Sequence, residues 1–506
     1  MRIRIGSRPS QLSKLQALEV ARAINNSSLD CDVSHFFRDS SGDLDQLTKL
    51  SEFQGKGVFT KDFLEFLESG EIDCVVHSWK DLPIEERGST EIVATLKRAD
   101  IRDVLLLKRS FVEDPLPVRS NLNILTSSPR REYNLSKFLP TSLPVQVGKI
   151  NFESVRGNVE TRIKKLLECD RADGLVVAKA ALDRILLSSD QVAQNAKEYI
   201  LREALPRLFP ITLPIRENPA AAAQGSLAIE VLRERSDLKE ALEKINHSQT
   251  FADVAAEREI LKSYGGGCHQ KIGVTVISFE FGRLISVRGL TDDGRELNEW
   301  RLDKFCKIPK AASSQQVWPP PLESEEREYF EREEIKVSLN FDQSLGIVVS
   351  RSNALPQDIW IKPGTIIWVA GDDSWREMVK RGVWVSGSSE GIGQDRLGPG
   401  KGLYDFFVNS WVKLTHKGGN DSTFAKAVAS YELVPARPFP VLPEVTHYYW
   451  KSGSLFLHAL KSNPAIVNCY HGCGPGESYQ IIKSKLADPL KLGVFLNLAD
   501  FYEEIL

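Results

Sequence analysis

Arginine, lysine and hydroxyl side chains gather in this sequence where loops give way to helices, and such groupings are suited to holding anions. Thr126-Ser127-Ser128-Pro129-Arg130-Arg131 follows an apolar, strand-like run. Ser128 suits an N-cap and Pro129 the first helical position. Free backbone N–H groups, hydroxyls and two guanidinium groups therefore converge there on any carboxylate or phosphate. Arg156-Gly157-Asn158-Val159-Glu160-Thr161-Arg162 forms a second loop-to-helix cluster. Arg8 and Ser10 precede the first long helical pattern, and Lys56 sits between Gly55 and Gly57. Taken singly, each cluster is more simply a solvated charged face; several of them at element ends point to a polyanionic ligand.

Two further residues have chemistry of their own. Asp81 follows the apolar run Cys74–Ser78 within Trp79-Lys80-Asp81-Leu82-Pro83. Ligands of open α/β sheets bind beyond the carboxyl ends of strands, and a carboxylate there can handle protons or stabilise a cation. By local features alone it reads as a turn residue before Pro83. Cys268 lies in Tyr264-Gly265-Gly266-Gly267-Cys268-His269-Gln270. Three glycines give the backbone freedom to admit something bulky, so this cysteine is a candidate for covalent chemistry, although most cysteines are small buried hydrophobes.

The elements that must position these residues alternate. Arg2 to Ile5 reads as a strand and Ser10 to Ile24 as an amphipathic helix, with Leu12, Leu15, Leu18, Val20, Ala21 and Ile24 apolar. Thr60 caps a helix that ends at Gly70; Cys74–Ser78, Asn123–Leu125 and Gly174–Ala178 read as strands. Alternating strands and helices imply an α/β fold with a mostly parallel component. Pro, Ser and acidic residues over 306–340 read as a linker or boundary, after which strand-like runs return at Leu345–Val349, Thr365–Val369 and Ile466–Tyr470.

The 506 residues are too many for one ordinary domain. A net charge of −3 gives no overall basic field for nucleic acid. Seven cysteines, irregularly spaced and without a CxxC pair, argue against a disulfide framework or zinc site. The absence of a secretory pattern or a long apolar run leads to the expectation of a cytoplasmic protein that does not enter a membrane.

Seven segments in order now carry a resemblance: IGSRPSQLSKLQA, QGKGVFTKDFLE, DCVVHSWKDLP, TSSPRR, VRGNVETR, AAQGSLAIE and ERE-ILKSYGGGCHQKIG. Together, over about residues 1–303, they resemble the motif series of porphobilinogen deaminase (hydroxymethylbilane synthase). The resemblance implies three α/β domains, the first two like type II periplasmic binding proteins and the third a small α+β domain. The corresponding division is 1–100 with 225–245, then 101–224, then 246–305. It implies a dipyrromethane cofactor joined by a thioether to Cys268. Four porphobilinogen units are added with loss of ammonia and released as hydroxymethylbilane. It makes Asp81 the catalytic carboxylate, stabilising cationic intermediates. Arg8, Ser10, Lys56, Ser78, Lys80, Thr126, Ser127, Ser128, Arg130, Arg131, Arg156, Gly157, Arg162, Arg184 and Gln224 fall at cofactor- and substrate-binding positions. Arginine pairs a pyrrole acetate or propionate with two parallel hydrogen bonds, which lysine does not. The sequence departs from the family at Leu125, where Gly is usual, and at Ala222-Ala223-Gln224-Gly225, in place of a PGQG-like turn. Residues 185–218 read as an enlarged segment near the hinge between the first two domains.

Residues 341–506 resemble uroporphyrinogen-III synthase more loosely, through IVVSRSNALP, IIWVAGDDSWREMVKRGV, YELVP, WKSGSLFLHAL and HGCGPGESYQIIKSKL. That resemblance implies a second α/β region that closes hydroxymethylbilane to uroporphyrinogen III, with Ser350, Ser352, Tyr431, Ser452 and Ser454 as cleft residues. The chain is then a bifunctional monomer acting on small molecules, without metal, nucleic acid or membrane partners. The alternatives are a deaminase with a structural C-terminal region and a non-catalytic anion-binding module.

Overall fold

The computed structural model describes residues 1–38, 61–84, 88–265, 270–321, 329–337, 344–436 and 442–506. Thr60, Lys56 and Cys268 lie outside the described residues. The expected α/β alternation is present, distributed over five sheets.

The chain opens with β1 (Arg2–Ser7), β2 (Asp32–Phe37), β3 (Cys74–Ser78) and β4 (Thr90–Ala94). Helix Gln11–Asn25 packs on them through Leu15, Ala17, Val20, Ala21 and Ile24, its first turn closed by the Ser10 side chain accepting from Ser13 N. The chain then crosses to a second sheet, made of β5 (Asp103–Lys108), β6 (Val118–Leu125), β7 (Gln146–Glu153), β8 (Gly174–Ala178) and β9 (Leu208–Thr212). It returns to the first sheet with β10 (Leu227–Leu232). The orders are β2-β1-β3-β10-β4 and β7-β6-β8-β5-β9. In both, three parallel strands meet a fourth that runs antiparallel, and that fourth strand is the one arriving from the other sheet. Two crossings, 95–102 and 213–226, therefore join two units of the same plan. Segment 185–218 builds helix Gln194–Tyr199, whose Ala196, with Ala193, Ile200, Ala204 and Leu205, completes the second unit's core before β9.

A third unit sets helix Ser248–Ser263 against an antiparallel sheet of β11 (Gly273–Phe279), β12 (Gly282–Leu290) and β13 (Glu296–Lys304). The buried Glu257 of that helix takes both Arg98 Nη atoms at 2.8 Å, and also accepts from the Ala223 and Val276 amides. One carboxylate thus ties the third unit to both crossings.

Residues 306–340 are more than a linker. They supply β14 (Val317–Trp318) and β15 (Phe330–Glu334) to two different sheets. One is six-stranded, with β16 (Leu345–Val349), β17 (Ile367–Val369), β18 (Gly387–Ser388), β19 (Ser410–His416) and β20 (Ala425–Pro435) in order β15-β20-β19-β16-β17-β18. All of its pairings are parallel except that of β15. The other is wholly parallel: β14, then β21 (His447–Trp450), β22 (Tyr470–Cys473) and β23 (Leu492–Val494). The strand expected at Ile466–Tyr470 is instead a 3-10 turn, Pro464–Asn468, followed by β22. Pro464 fits the first position of that turn and Asn463 caps it by accepting from Ala465 N, so local chemistry outweighs the apolar content. No helix among the described residues is long and apolar enough to cross a membrane.

Candidate active site

The ends of five parallel strands deliver most of the expected residues. Arg8 and Ser10 follow β1; Ser78, Lys80 and Asp81 close β3; Thr126 to Arg131 follow β6; Arg156 and Gly157 follow β7. Arg184 lies on helix Lys179–Leu187 beyond β8, and Gln224 in the crossing that leads into β10. Trp79 anchors the turn Trp79–Asp81: it is buried against Phe251, Ala223 and Val254, and its amide donates to Ser226 O. This leaves Asp81 exposed at the strand end. Ser78 Oγ is held by the Gln16 side chain at 2.8 Å.

The second unit brings its cations to the same place. Burial lowers the Lys80 ammonium below its ordinary value; Asp81 opposes that, while Arg131 and Arg130 reinforce it. Burial likewise lowers the Arg162 guanidinium, again with Arg131 reinforcing and Asp81 opposing. Among the described residues, four cations thus face Asp81 and Asp103, an arrangement suited to a ligand bearing carboxylates. Gly157 has φ of +115°, and a Cβ there would lie 2.8 Å from the Thr161 methyl, so glycine is needed for the turn that lets Arg162 Nε donate to Gly157 O.

Other expected ligand residues are already engaged. Arg131 donates twice to Asp103, at 3.0 and 2.6 Å, and once to Val176 O. Arg130 donates to Asp103 and to Pro219 O. Burial opposes ionisation of Asp103, but Arg131 and Arg130 outweigh it and hold the carboxyl well below the usual range. Gln224 Nε2 also reaches Asp103, at 2.9 Å, while its Oε1 accepts from Lys80 Nζ. Arg184 spans the first two units, donating to Glu19 on one side and Gly225 O on the other. Ser127 Oγ is tied to Ser154 and to Val155 O, which fastens the loop after β6 to that after β7. Ser128 occupies the N-cap of helix Pro129–Phe138, but its side chain makes no capping bond. Asp103 was not singled out from the sequence. A carboxylate opening the apolar run Val104–Leu107 was the available sign that a buried cation must meet it.

A cavity of about 710 Å³ lies between the six-stranded and four-stranded sheets at the carboxyl ends of their parallel strands. Ser350, Tyr431, Ser452 and Ser454 line it; Ser352 is not among the lining residues, and its carbonyl accepts from Arg381. Arg332, Arg351, His416 and Lys451 also line it, as does Glu477. The buried Lys413 of β19 pairs with Glu477 and so ties one sheet to the other. Burial raises the Tyr431 hydroxyl above its ordinary value. These cations were missed in the sequence, although Arg351 adjoins Ser350 and Lys451 adjoins Ser452.

A family model described as "Porphobilinogen deaminase, dipyromethane cofactor binding domain" matches residues 3–240. The porphobilinogen deaminase of Caldicellulosiruptor saccharolyticus is 37% identical over 274 residues, 54% of this chain and 83% of that protein. That of Syntrophomonas wolfei is 34% identical over 311 residues, 61% of this chain and 91% of that protein. The probable porphobilinogen deaminase of Picrophilus torridus is 33% identical over 274 residues, with 54% and 85% covered. With four-fifths or more of each relative matched at 33% identity or more, the chain belongs to the porphobilinogen deaminase family.

Proposed function

We propose that this chain performs two consecutive steps: it builds hydroxymethylbilane from porphobilinogen beside Asp81, then closes it to uroporphyrinogen III in the C-terminal cavity. For the first step, the cations beside Asp81 fit a dipyrromethane bearing acetate and propionate groups. Cys268, outside the described residues, would hold that cofactor, and the bound group supplies the pyrrole carbon that is extended. Arg162, Lys80 and Arg131 would bind carboxylates, with Arg8, Ser10, Lys56, Ser78, Thr126, Ser127, Ser128, Arg130, Arg156, Gly157, Arg184 and Gln224 completing or positioning the cradle. Asp81 would face the pyrrole N–H, stabilising positive charge as ammonia departs, a task for which a fixed carboxylate is well suited. The first three sheets support the domain division 1–100 with 225–245, 101–224 and 246–305, and strands β14 and β15 support a later region that would begin before 341.

The observation that carries the second step is the cavity of about 710 Å³ at the facing strand ends of two parallel sheets. Its volume lies within the range of large ligand pockets. Arg332, Arg351 and Lys451 in its lining suit a substrate that carries carboxylates. Hydroxymethylbilane closes unaided to the type I isomer, so an enzyme must hold the chain in the geometry that inverts ring D; positioning alone contributes several kcal/mol, up to about 7–11. Hydroxyls of Ser350, Tyr431, Ser452 and Ser454 would supply donors.

A second reading, deaminase alone with a structural C-terminal region, has one observation in its favour. Leu105, Phe111 and Phe209 of the second unit share one apolar core with Ile347, Trp368, Trp384 and Tyr404. The full chain is therefore the proper test object. Porphobilinogen is supplied to wild type and to Ser454→Trp, which fills the cavity, and the porphyrin isomers are separated after oxidation. Type III from wild type and type I from the variant, at equal rates of ammonia release, supports the two-step function. Type I from both would leave the C-terminal region structural.

A further inference from the structure

The C-terminal region grips both crossings of the deaminase. On the first, Arg102 donates to Gly398 O at 2.7 Å, and its guanidinium lies over the Trp368 ring, 5.2 Å from the centroid. Beside it, Asp183, paired with Lys179 at 2.6 Å, accepts from the Leu403 amide. Just before the second, at the end of β9, Thr212 N donates to Ser386 O and Thr212 Oγ1 bonds the Tyr404 hydroxyl. Glu390 then receives two successive amides of that crossing: Ile215 N on Oε1 and Arg216 N on Oε2, each at 2.9 Å. Glu390 itself sits at φ of +52°, a left-handed conformation unfavourable for a residue with a Cβ, so the surrounding contacts hold it there. Gly402, at φ of +100°, brings the backbone so close that a Cβ would stand 2.6 Å from Asp183 Oδ1.

We propose that residues 386–404 form a collar on the deaminase hinge, with Glu390 as its positioning residue, and that the collar sets how far the first two units open as the bound chain lengthens. The physical argument is that two sheets joined by two strands move about those strands. A cleft that must hold a product growing by four additions needs a controlled opening. Contacts to backbone amides of one crossing and to a side chain of the other constrain that motion directly. The inference rests on the deaminase activity alone and is independent of whether the C-terminal cavity closes the macrocycle.

The test uses the full chain with Glu390→Ala, which removes both acceptors, and Gly402→Ala, which drives the collar off Asp183 without altering any residue assigned to the cleft. Amide exchange at 213–217 is followed by mass spectrometry, and the covalent series of extended species by intact mass during turnover. Exchange about tenfold faster in the variants is expected, since an amide bonded to a carboxylate is released. With it, the distribution of extended species should shift and kcat should change more than KM. Glu390→Gln, which keeps one acceptor, should fall between wild type and Glu390→Ala. If Glu390→Ala does not fold, Gly402→Ala carries the same readouts. Unchanged exchange, or faster exchange with an unaltered distribution of extended species, overturns the collar.

Discussion

The two candidate sites use charge in different ways. Beside Asp81 the cations are buried, crowded and tied to an internal carboxylate, with Arg130 and Arg131 sharing Asp103. In the C-terminal cavity, cations are spread among serine hydroxyls and glycine turns at strand ends. Chemistry that makes and quenches cations requires particular charges at fixed points, whereas folding a flexible polyanion requires many adequate donors and one good shape. The first demand restricts residue types tightly; the second allows many solutions.

The largest expected effect tests the first side of that contrast. Cys268→Ser should abolish the covalent dipyrrole, read as the missing mass in the intact protein. An adduct that persists in the variant would remove Cys268 from the chemistry. Asp103→Asn comes next. It leaves two guanidinium groups facing a neutral amide, and breaking a buried pair costs roughly 3–5 kcal/mol. The earliest denaturant transition should move accordingly. The carboxyl is held below its ordinary range, so its contribution is present above the unfolded pKa and disappears as pH falls through the folded one. An Asp103→Asn protein as stable as wild type would mean that the arginines are not held by this pair.

Asp81→Asn should retain fold and cofactor but lose a factor of about 10² or more in turnover if the carboxylate stabilises developing positive charge. Ammonia release, with intact mass as the control for cofactor, decides it; near-normal turnover would make Asp81 only a turn residue. A smaller effect is expected at the junction between the two regions. Burial pushes the Glu390 carboxyl up to about 8, with Asp372 adding to the rise, while the Ile215 and Arg216 amides and Arg102 oppose it. A raised carboxyl favours the folded state below the ordinary glutamate value, and that advantage is lost as pH rises through about 8. The thermal midpoint of wild type should therefore fall relative to Glu390→Gln between pH 5 and 9. Parallel curves would show that the carboxyl does not titrate in this window.

Legibility followed the same contrast. Strands β1, β3, β6 and β8, the first helix and the strand-end position of Asp81 could be read because apolar periodicity is local. The pairing of Arg130 and Arg131 with Asp103 could not, since their partner lies 27 and 28 residues away and arrives on an antiparallel strand from the other unit. The two strands within 306–340 were not legible for a related reason. Two-residue β14 and the acidic β15 carry no apolar alternation, and exist as strands only because other strands pair with them. The collar was invisible because most of its contacts run through backbone amides and carbonyls, which every sequence possesses.

The smallest effect concerns Ala223, where the family's turn usually has glycine. Ala223 sits at φ of +67° in the crossing, its amide donating to the buried Glu257 carboxylate. A left-handed conformation costs a residue with a Cβ about 1–2 kcal/mol. Ala223→Gly would relieve that strain, but glycine loses more chain entropy on folding, about 0.5–1 kcal/mol. The substitution also removes a methyl buried against Trp79 and Val254, at about 0.8 kcal/mol. The three contributions nearly cancel, so the variant should melt close to wild type, within about 1 kcal/mol of equivalent stability. This balance accounts for alanine at a position shaped for glycine. A loss beyond about 2 kcal/mol would mean that the methyl packs more tightly than its burial implies; a gain of that size would mean that the turn stores more strain than its φ alone suggests.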